Sequence, residues 1–415
     1  MNRNVCFLLW VVLLNLRVNI VGSISITELF VLTQIPKLWK WSNTIDFGLI
    51  RTIRNLFFCL IASQCISELI LQNTFLNAVK GLMITFTSLF VLLFFLYEIV
   101  QKKTSVLMIP LGFILAQIIL GDQFGFSESG DSSVWFKFYA VPIITNGICL
   151  LFLLNNKCIN RNVALIFFTS SILMMVFGSR TGGFTMMLSL ILYFLFRRRK
   201  KLTKWQVVKI LIPMMIAFQL FYALIYVPNI KSGEWGSDQN REQMKAIDYS
   251  SNSLMLIMAA RSDFYVSFLA FMDAPLWGHG AWALDDKLKY SFILNRLSDG
   301  DENQLLDYVD NFGTPLIPAH SVLIGMGTRN GIFAFILFLC ITILIYEATL
   351  RLLWDKTKDL PFICYLIITS LQAVLFSPPA VLKNYIVVIW AILLAYYYMN
   401  YKVKRNETIS SHCNL

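Results

Sequence analysis

The sequence predicts an all-α polytopic membrane protein with about twelve transmembrane helices and one large polar loop that contains amphipathic helices. Hydrophobic residues make up 57% of the 415 residues, charged residues make up only 14%, and the mean hydropathy is +0.65. Soluble domains are roughly half apolar and a quarter charged, so a soluble fold could not bury this much apolar surface. A membrane helix needs ~20 apolar residues, and apolar runs of this length recur along the whole chain.

About twelve segments are predicted to span the membrane, from the lengths of their apolar runs. They cover residues 5–21, 23–38, 54–71, 77–99, 105–120, 134–154, 162–178, 181–196, 206–228, 319–347, 360–377 and 382–400. No small-residue cleavage site follows the first segment, so we interpret it as a retained helix and not as a signal peptide. The chain is divided into helices one to nine (1–228), a large loop (229–318), helices ten to twelve (319–405) and a tail (406–415).

Basic residues cluster in alternate connections between the predicted helices, which is typical of loops that face the cytoplasm. The clusters are Lys37, Lys40, Arg51 and Arg54; Lys102 and Lys103; Lys157 and Arg161; 197–201 with Lys204; Arg351, Lys356 and Lys358; and Lys402, Lys404 and Arg405. The other short connections hold little beyond Lys80, Arg180 and Lys383. With an even number of helices, this bias predicts both termini in the cytoplasm and the large loop on the opposite side.

The large loop, residues 229–318, is polar and contains thirteen Asp or Glu against seven Lys or Arg. Structureless loops longer than ~15 residues are uncommon unless they are functional. Residues 254–272 have the pattern of a helix that lies over the membrane domain. The formal net charge of +11 comes from short clusters between apolar runs and not from one basic surface, so we expect no nucleic acid partner.

Three basic residues, Arg180, Arg261 and His320, are predicted to meet at the extracytoplasmic end of the helices. A charge near an apolar helix end is costly and usually functional, and this set suggests an anionic, lipid-linked substrate. Arg180 lies in the Gly-rich turn 178–183, where glycines free the backbone and the next helix N-terminus favours phosphate. The alternative for Arg180 is a snorkelling side chain at a helix end.

Arg261 and His320 also have structural alternatives. Arg261 could present its planar guanidinium to a phosphate, or it could pair with Asp263 or another acid of the loop. His320 opens a long apolar helix, where an imidazole could act as a general base or serve only as an interfacial group. Arg329 and Lys383 are secondary candidates, because their predicted depth places them beside the same cavity.

Several functional classes are excluded by the motifs that the sequence lacks. It has no Walker loop, no GxSxG and no HExxH, which removes ATP hydrolysis, serine esterase and zinc protease activity. We expect no cofactor and no metal ion. The energy for any reaction must then come from the substrate itself.

Three segments, in this order around one large loop, resemble the O-antigen polymerase and ligase superfamily of bacterial inner-membrane glycosyltransferases, of the GT-C type. They are Ser-Arg-Thr-Gly at 179–182, Arg261 with Pro-Leu-Trp-Gly-His-Gly at 275–280, and His320-Ser with Gly-Ile-Phe at 331–333. The resemblance implies transfer of a glycan from undecaprenyl pyrophosphate at the periplasmic face, without a metal. Arg180 and Arg261 would then bind the donor pyrophosphate, and His320 would be the base for the acceptor hydroxyl or would orient it.

The resemblance also implies the location and the partners: a multi-pass protein of the bacterial inner membrane, a lipid-linked oligosaccharide substrate, and a chain-length regulator as a candidate partner. Polymerases extend another lipid-linked repeat unit, whereas ligases transfer the glycan to the lipid A core. Ligases tend to have Gly, Thr or Tyr where this chain has Ala334, and many have a second histidine where it has Pro318. These positions favour an inverting polymerase, with a ligase as the alternative.

A permease or a flippase for lipid-linked glycans is the competing interpretation from outside the enzymes. Such a protein would also need basic residues that face an anionic lipid. It is expected to have an internal repeat and charged residues at mid-membrane depth. We find no internal repeat, and the candidate charges cluster at the outer edge beside the large loop, which favours an enzyme.

Overall fold

In the computed structural model the chain is overwhelmingly helical, as expected for an all-α membrane protein. The structure describes residues 2–19, 23–121, 135–154, 162–177, 179–197, 213, 216, 219, 220, 222–234, 262–297, 313–354 and 359–413. The helices are α1 (Arg3–Asn15), α2 (Ile26–Thr33), α3 (Ile35–Thr44), α4 (Gly48–Leu71), α5 (Phe75–Val100), α6 (Met108–Leu120), α7 (Val141–Leu154), α8 (Val163–Val176), α9 (Arg180–Arg197), α10 (Val227–Ser232), α11 (Ser262–Asp273), α12 (Lys289–Leu297), α13 (Val322–Trp354), α14 (Leu360–Phe376) and α15 (Val387–Cys413). The strands β1 (Arg17–Asn19) and β2 (Ser23–Ser25) form a short antiparallel hairpin after α1.

Five helical stretches in the described residues are long and apolar enough to cross a membrane. They are Gly48–Leu71, Phe75–Val100, Phe136–Leu154, Val322–Trp354 and Pro379–Val403; four shorter apolar helices are Arg3–Asn15, Met108–Leu120, Val163–Val176 and Leu360–Phe376. The helices fall where most of the apolar runs predicted them, but the total of about twelve spans is not confirmed. The predicted loop helix is confirmed as α11 from Ser262 onward, and residues 254–261 lie outside the described residues.

The second predicted span, 23–38, is wrong as a single helix. Its first three residues form β2, and the helical part is divided at Gln34 into α2 and α3. Pro36 lies in the first turn of α3, a position that proline favours because it lacks an N–H and has a fixed φ. The α3 helix also carries Lys37, Lys40 and exposed Trp39, residue types that are typical of the membrane surface and not of its centre.

The core of the bundle lies around α5 and α15. Residues Leu89–Leu96 of α5 are almost completely buried, which explains why this helix is apolar on all sides. Trp390 of α15 is also fully buried, and its ring centroid lies 6.0 Å from that of Phe338 in α13. The apolar residues of α5 and α15 therefore form the interior of the bundle, whereas the longer α13 is only partly buried.

Two contacts between side chains fix the relative direction of α9, α13 and α14. Phe196, near the end of α9, lies 4.7 Å from Trp354, the last residue of α13, measured between ring centroids. Tyr193 of α9 lies close to Cys364 near the start of α14. The first residues of α9 and α13 therefore lie at the same end of the bundle as the last residues of α14.

The described part of the large loop lies at that end as well. The Ser67 hydroxyl, one turn before the end of α4, donates a hydrogen bond of 2.5 Å to the Trp277 carbonyl oxygen. We call this end of the bundle the loop end. The opposite end, which we call the basic end, carries residues such as Arg54, Lys102 and Arg351.

Candidate active site

The turn before α9 ends earlier than the sequence predicted, because Arg180 is already the first residue of the helix and residues 180–183 are helical. The Ser179 amide donates to the Met174 carbonyl oxygen at 2.7 Å and closes the turn. Glycine at 183 permits close packing of the two helices, because a Cβ there would lie 2.5 Å from Met175 Cγ. The Ser171 hydroxyl donates to the Gly183 carbonyl oxygen at 2.7 Å. The first turn of α9 is thereby held against α8, and the start of the Arg180 side chain is fixed.

The half-buried Arg180 lies beside two tyrosines at the loop end. Its guanidinium faces the Tyr226 hydroxyl and is within electrostatic range of Tyr222. The two tyrosine rings are stacked, with centroids 5.6 Å apart. Guanidinium and phenol groups all donate hydrogen bonds, so this cluster has the groups that bind a phosphate oxygen.

His320 is held directly before the first turn of α13. The segment that leads to it pairs with an earlier part of the large loop, since the Ile317 amide donates to the Ala283 carbonyl oxygen at 2.9 Å. The next residue, Ser321, is buried, and its hydroxyl accepts a hydrogen bond of 3.1 Å from the Ile324 amide. This is an N-cap bond, and it explains why α13 begins at Val322 and not at 319.

The imidazole of His320 lies next to a carboxylate of the large loop. Its Nε2 is 3.8 Å from Oδ2 of Asp263, and the two side chains are 48% and 31% exposed. A carboxylate beside an imidazole can orient the ring and stabilise its protonated form. The sequence indicates Asp263 only as a partner for Arg261. No sequence spacing indicates which acid of the loop returns to His320.

The predicted role of Arg261 is not tested, because this residue lies outside the described residues. Its chain neighbour Ser262 begins α11, and that helix packs against α13. Thr328 of α13 donates a hydrogen bond of 2.9 Å to the Ser267 carbonyl oxygen of α11. The loop helix is thus fixed beside the helix that His320 precedes.

Arg329 lies where α13 is interrupted. Gly331 has φ +77° and ψ −171°, which breaks the helix. The turn 275–280 satisfies the groups that this break releases: the Ile332 amide donates to the Pro275 carbonyl oxygen at 2.8 Å, and the His279 amide donates to the Thr328 carbonyl oxygen at 2.9 Å. Arg329 is half-buried and has no ion-pair partner among the described residues. It lies roughly 10 Å along the axis from Val322, at about 1.5 Å per residue.

Lys383, the other secondary candidate, is bound to the N-terminal part of the chain. Its Nζ lies 3.2 Å from Oε2 of Glu28 and also donates to the Ser23 carbonyl oxygen. Both side chains are buried, with 11% and 1% of their surface exposed. Glu28 also accepts a hydrogen bond of 2.6 Å from the Ser25 amide in a capping box at the start of α2. Lys383 therefore joins the last helical stretch to the hairpin and α2.

Arg180, His320 and Asp263 share the loop end, where Nε2 of His320 lies 3.8 Å from Oδ2 of Asp263. Within the part of the chain that the structure describes, no group of three or more His, Cys, Asp or Glu is arranged to bind a metal ion. The arrangement offers phosphate-binding donors beside Arg180 and an imidazole with a carboxylate partner beside α13. These are the groups that a transfer reaction on a phosphate-linked substrate requires.

A comparison with protein families gives a match to this part of the chain. Residues 165–339 match the family model described as O-antigen ligase. The chain is similar to the O-antigen ligases. The matched residues cover most of α8, all of α9, the large loop and α13 as far as residue 339, and hence every candidate residue except Lys383. No curated protein matches the chain.

The match supports the O-antigen polymerase and ligase superfamily and fits a ligase as well as a polymerase. Members of the O-antigen ligase family are glycosyltransferase-like enzymes with lipid-linked glycan substrates. The match and the apolar helices indicate a multi-pass membrane protein.

Proposed function

We propose that this protein is a polymerase of a surface polysaccharide, which transfers a glycan from undecaprenyl pyrophosphate to a sugar hydroxyl of another lipid-linked repeat unit. The observation that carries the proposal is the contact between His320 and Asp263 at the same end of the bundle as Arg180. All three residues lie inside the matched residues 165–339. The excess of basic residues at the opposite end supports a periplasmic position for this site.

In the proposed reaction the acceptor oxygen attacks the anomeric carbon of the donor glycan. A new C–O glycosidic bond forms while the bond from the anomeric carbon to the pyrophosphate oxygen breaks. His320 accepts the hydroxyl proton, and Asp263 stabilises the imidazolium that results. Attack from the side opposite the leaving group inverts the anomeric carbon. Undecaprenyl pyrophosphate leaves with the bonding electrons.

Arg180 is proposed to bind the pyrophosphate, together with Arg261. Negative charge develops on the leaving group during the transfer, and guanidinium groups in a partly dry site stabilise it. The position of Arg180 at a helix N-terminus, beside Tyr222 and Tyr226, supports this role. The leaving pyrophosphate supplies the energy, so no nucleotide sugar or metal is invoked.

A ligase is the second candidate, and the family match fits it equally well. The two functions differ in the acceptor: a second repeat unit for the polymerase and the lipid A core for the ligase. Ala334 and Pro318, at the two positions where ligases tend to differ, favour the polymerase. A chromosomal deletion separates the two, because loss of a ligase leaves long polymer on the undecaprenyl carrier and loss of a polymerase leaves single repeat units.

The proposal is tested by complementing such a deletion with Arg180→Ala, His320→Ala and Asp263→Asn and separating the surface polysaccharide on gels. Lys287→Ala is the matched control, since Lys287 is an exposed cation of the same loop. The proposal predicts loss of the long-chain ladder for Arg180→Ala and His320→Ala and a normal ladder for the control. A normal long-chain ladder in both Arg180→Ala and His320→Ala, at normal protein levels, would contradict the proposal.

A further inference from the structure

A cavity of about 210 Å³ opens at the basic end, on the side opposite the candidate active site. It lies between α1, the junction of α2 and α3, and the last turn of α5. Nothing in the proposed transfer reaction uses it. Its wall has a charged part and an aromatic part.

The charged part contains three cations and one acid: Arg3, Lys37, Lys102 and Glu98. The Lys37 and Lys102 ammonium groups lie 4.8 Å and 5.9 Å from the centroid of the Tyr97 ring. Arg3 donates a hydrogen bond of 3.1 Å to the Lys102 carbonyl oxygen, which holds the start of α1 beside the end of α5. Three positive charges against one negative charge leave the cavity with a net charge of +2.

The aromatic part extends from these charges toward the middle of the bundle. Trp10 of α1 and Phe30 of α2 are stacked, with ring centroids 3.9 Å apart. Phe94 of α5 meets Phe30 edge to face at 5.9 Å. The cavity therefore has cations at the membrane surface and an apolar wall below them, in the order in which a phospholipid presents its phosphate and its acyl chains.

We propose that this cavity binds the headgroup of an anionic phospholipid, with its phosphodiester between Lys37, Lys102 and Arg3. Basic pockets between membrane helices attract anionic lipids, and each Lys or Arg near the surface contributes ~1 kcal/mol. A soluble anion would contact only the charged part of the wall and would leave the aromatic part without a ligand. Phosphatidylglycerol, with a net negative charge, matches the net +2 of the wall better than a zwitterionic lipid does.

The alternative is that Lys37 and Lys102 only extend their charged groups to the membrane surface and bind no lipid. The chain provides a matched control for it, because Lys40 and Lys103 belong to the same two segments and do not line the cavity. Lys37→Ala/Lys102→Ala and Lys40→Ala/Lys103→Ala remove the same charge from the same end of the bundle. Only the first pair removes it from the cavity wall.

The test measures lipid binding to the full chain in detergent by native mass spectrometry and by the rise of Tm on adding lipid. Phosphatidylglycerol is expected to bind and to raise the Tm of the wild type and of Lys40→Ala/Lys103→Ala. Its affinity for Lys37→Ala/Lys102→Ala is expected to fall by about tenfold or more. Glu98→Gln is expected to bind phosphatidylglycerol more tightly, since it removes the acid that opposes the phosphate.

Equal loss of binding in the two double variants would overturn the proposal, because it would show attraction to net charge alone. Equal binding of phosphatidylcholine and phosphatidylglycerol by the wild type would overturn it as well. Inorganic phosphate at the same concentration is expected to leave the Tm unchanged, since it cannot contact the aromatic wall. A rise of Tm equal to that given by the lipid would assign the site to a free anion and contradict a lipid site.

Discussion

The Gly280 amide donates a hydrogen bond of 2.7 Å to the Arg329 carbonyl oxygen and so connects a turn of the large loop to the broken helix α13. Breaking a helix inside a membrane leaves backbone groups without partners, which lipid cannot supply. The turn 275–280 supplies them, and it also approaches Gly331 too closely for any side chain there. The break and the turn therefore form one unit, and each depends on the other.

Replacement of Gly331 by alanine is expected to destabilise the protein strongly. A Cβ at Gly331 would lie 2.0 Å from the Leu276 carbonyl oxygen, and φ is +77°. Backbone strain and overpacking together predict a loss on the order of 2–5 kcal/mol. The measurement is Tm in detergent, with Gly147→Ala as the control, because a Cβ at Gly147 meets nothing within 4 Å. A normal Tm for Gly331→Ala would contradict the account of the break.

Removal of one member of the Glu28–Lys383 pair is expected to be worse than removal of both charges. Lys383→Met removes the cation bound to Glu28, which is 1% exposed, and leaves only the nearby Arg17 to offset the carboxylate, whereas Glu28→Gln/Lys383→Met removes both charges of the pair. Removing one partner of a buried pair typically costs ~3–5 kcal/mol, and neutral replacement of both costs much less. The glutamine can still accept the Ser25 capping bond. A comparison of Tm for the two variants tests this, and a less stable double variant would refute it.

Asp273 of the large loop is expected to contribute stability that is lost in acid. Hydrogen bonds from Lys289 at 2.5 Å and from the Tyr290 hydroxyl at 2.7 Å lower the pKa of Asp273. A lowered folded-state pKa stabilises the protein above the unfolded value of about 3.9, and the effect disappears as the pH falls through the folded value. The effect is small, because 43% of the side chain is exposed.

The Tm difference between the wild type and Asp273→Asn, followed against pH, measures this contribution. It should be constant above about pH 5 and should shrink below about pH 4. Asp286→Asn is a suitable control, because Asp286 is an exposed acid of the same loop. A difference that grows as the pH falls would have the wrong sign for this account.

Asp263 is expected to act through His320 and not independently. Asp263→Asn removes the carboxylate 3.8 Å from Nε2 and should lower turnover by about 10- to 100-fold, with a larger loss for His320→Ala. Because residues that act as a unit are not additive, the double variant should be no slower than His320→Ala alone. If the loss of turnover in the double variant equals the product of the two single losses, Asp263 has a role separate from His320.

The sequence predicted most helices because lipid leaves the backbone few choices and demands long apolar runs. It did not predict the division of the second run at Gln34, because the apolar residues of α2 continue through Ile35, although Pro36 and the two lysines of α3 mark the break. It extended the turn around Arg180 too far, because Gly182 and Gly183 are typical turn residues, whereas in the fold they lie in the first turn of α9 and permit close packing on α8. Long-range pairs such as Glu28 with Lys383 have no local signal, and only the fold shows them.

Turnover of an undecaprenyl-pyrophosphate-linked oligosaccharide by the purified protein in proteoliposomes tests the proposed transfer and its site together. The account predicts lengthened glycans and release of undecaprenyl pyrophosphate by the wild type and by Lys287→Ala, and a loss of about 100-fold or more for Arg180→Ala and His320→Ala. Movement of the lipid across the bilayer without new glycosidic bonds would contradict the claim and favour a flippase. Undiminished transfer by either variant would contradict the proposed site.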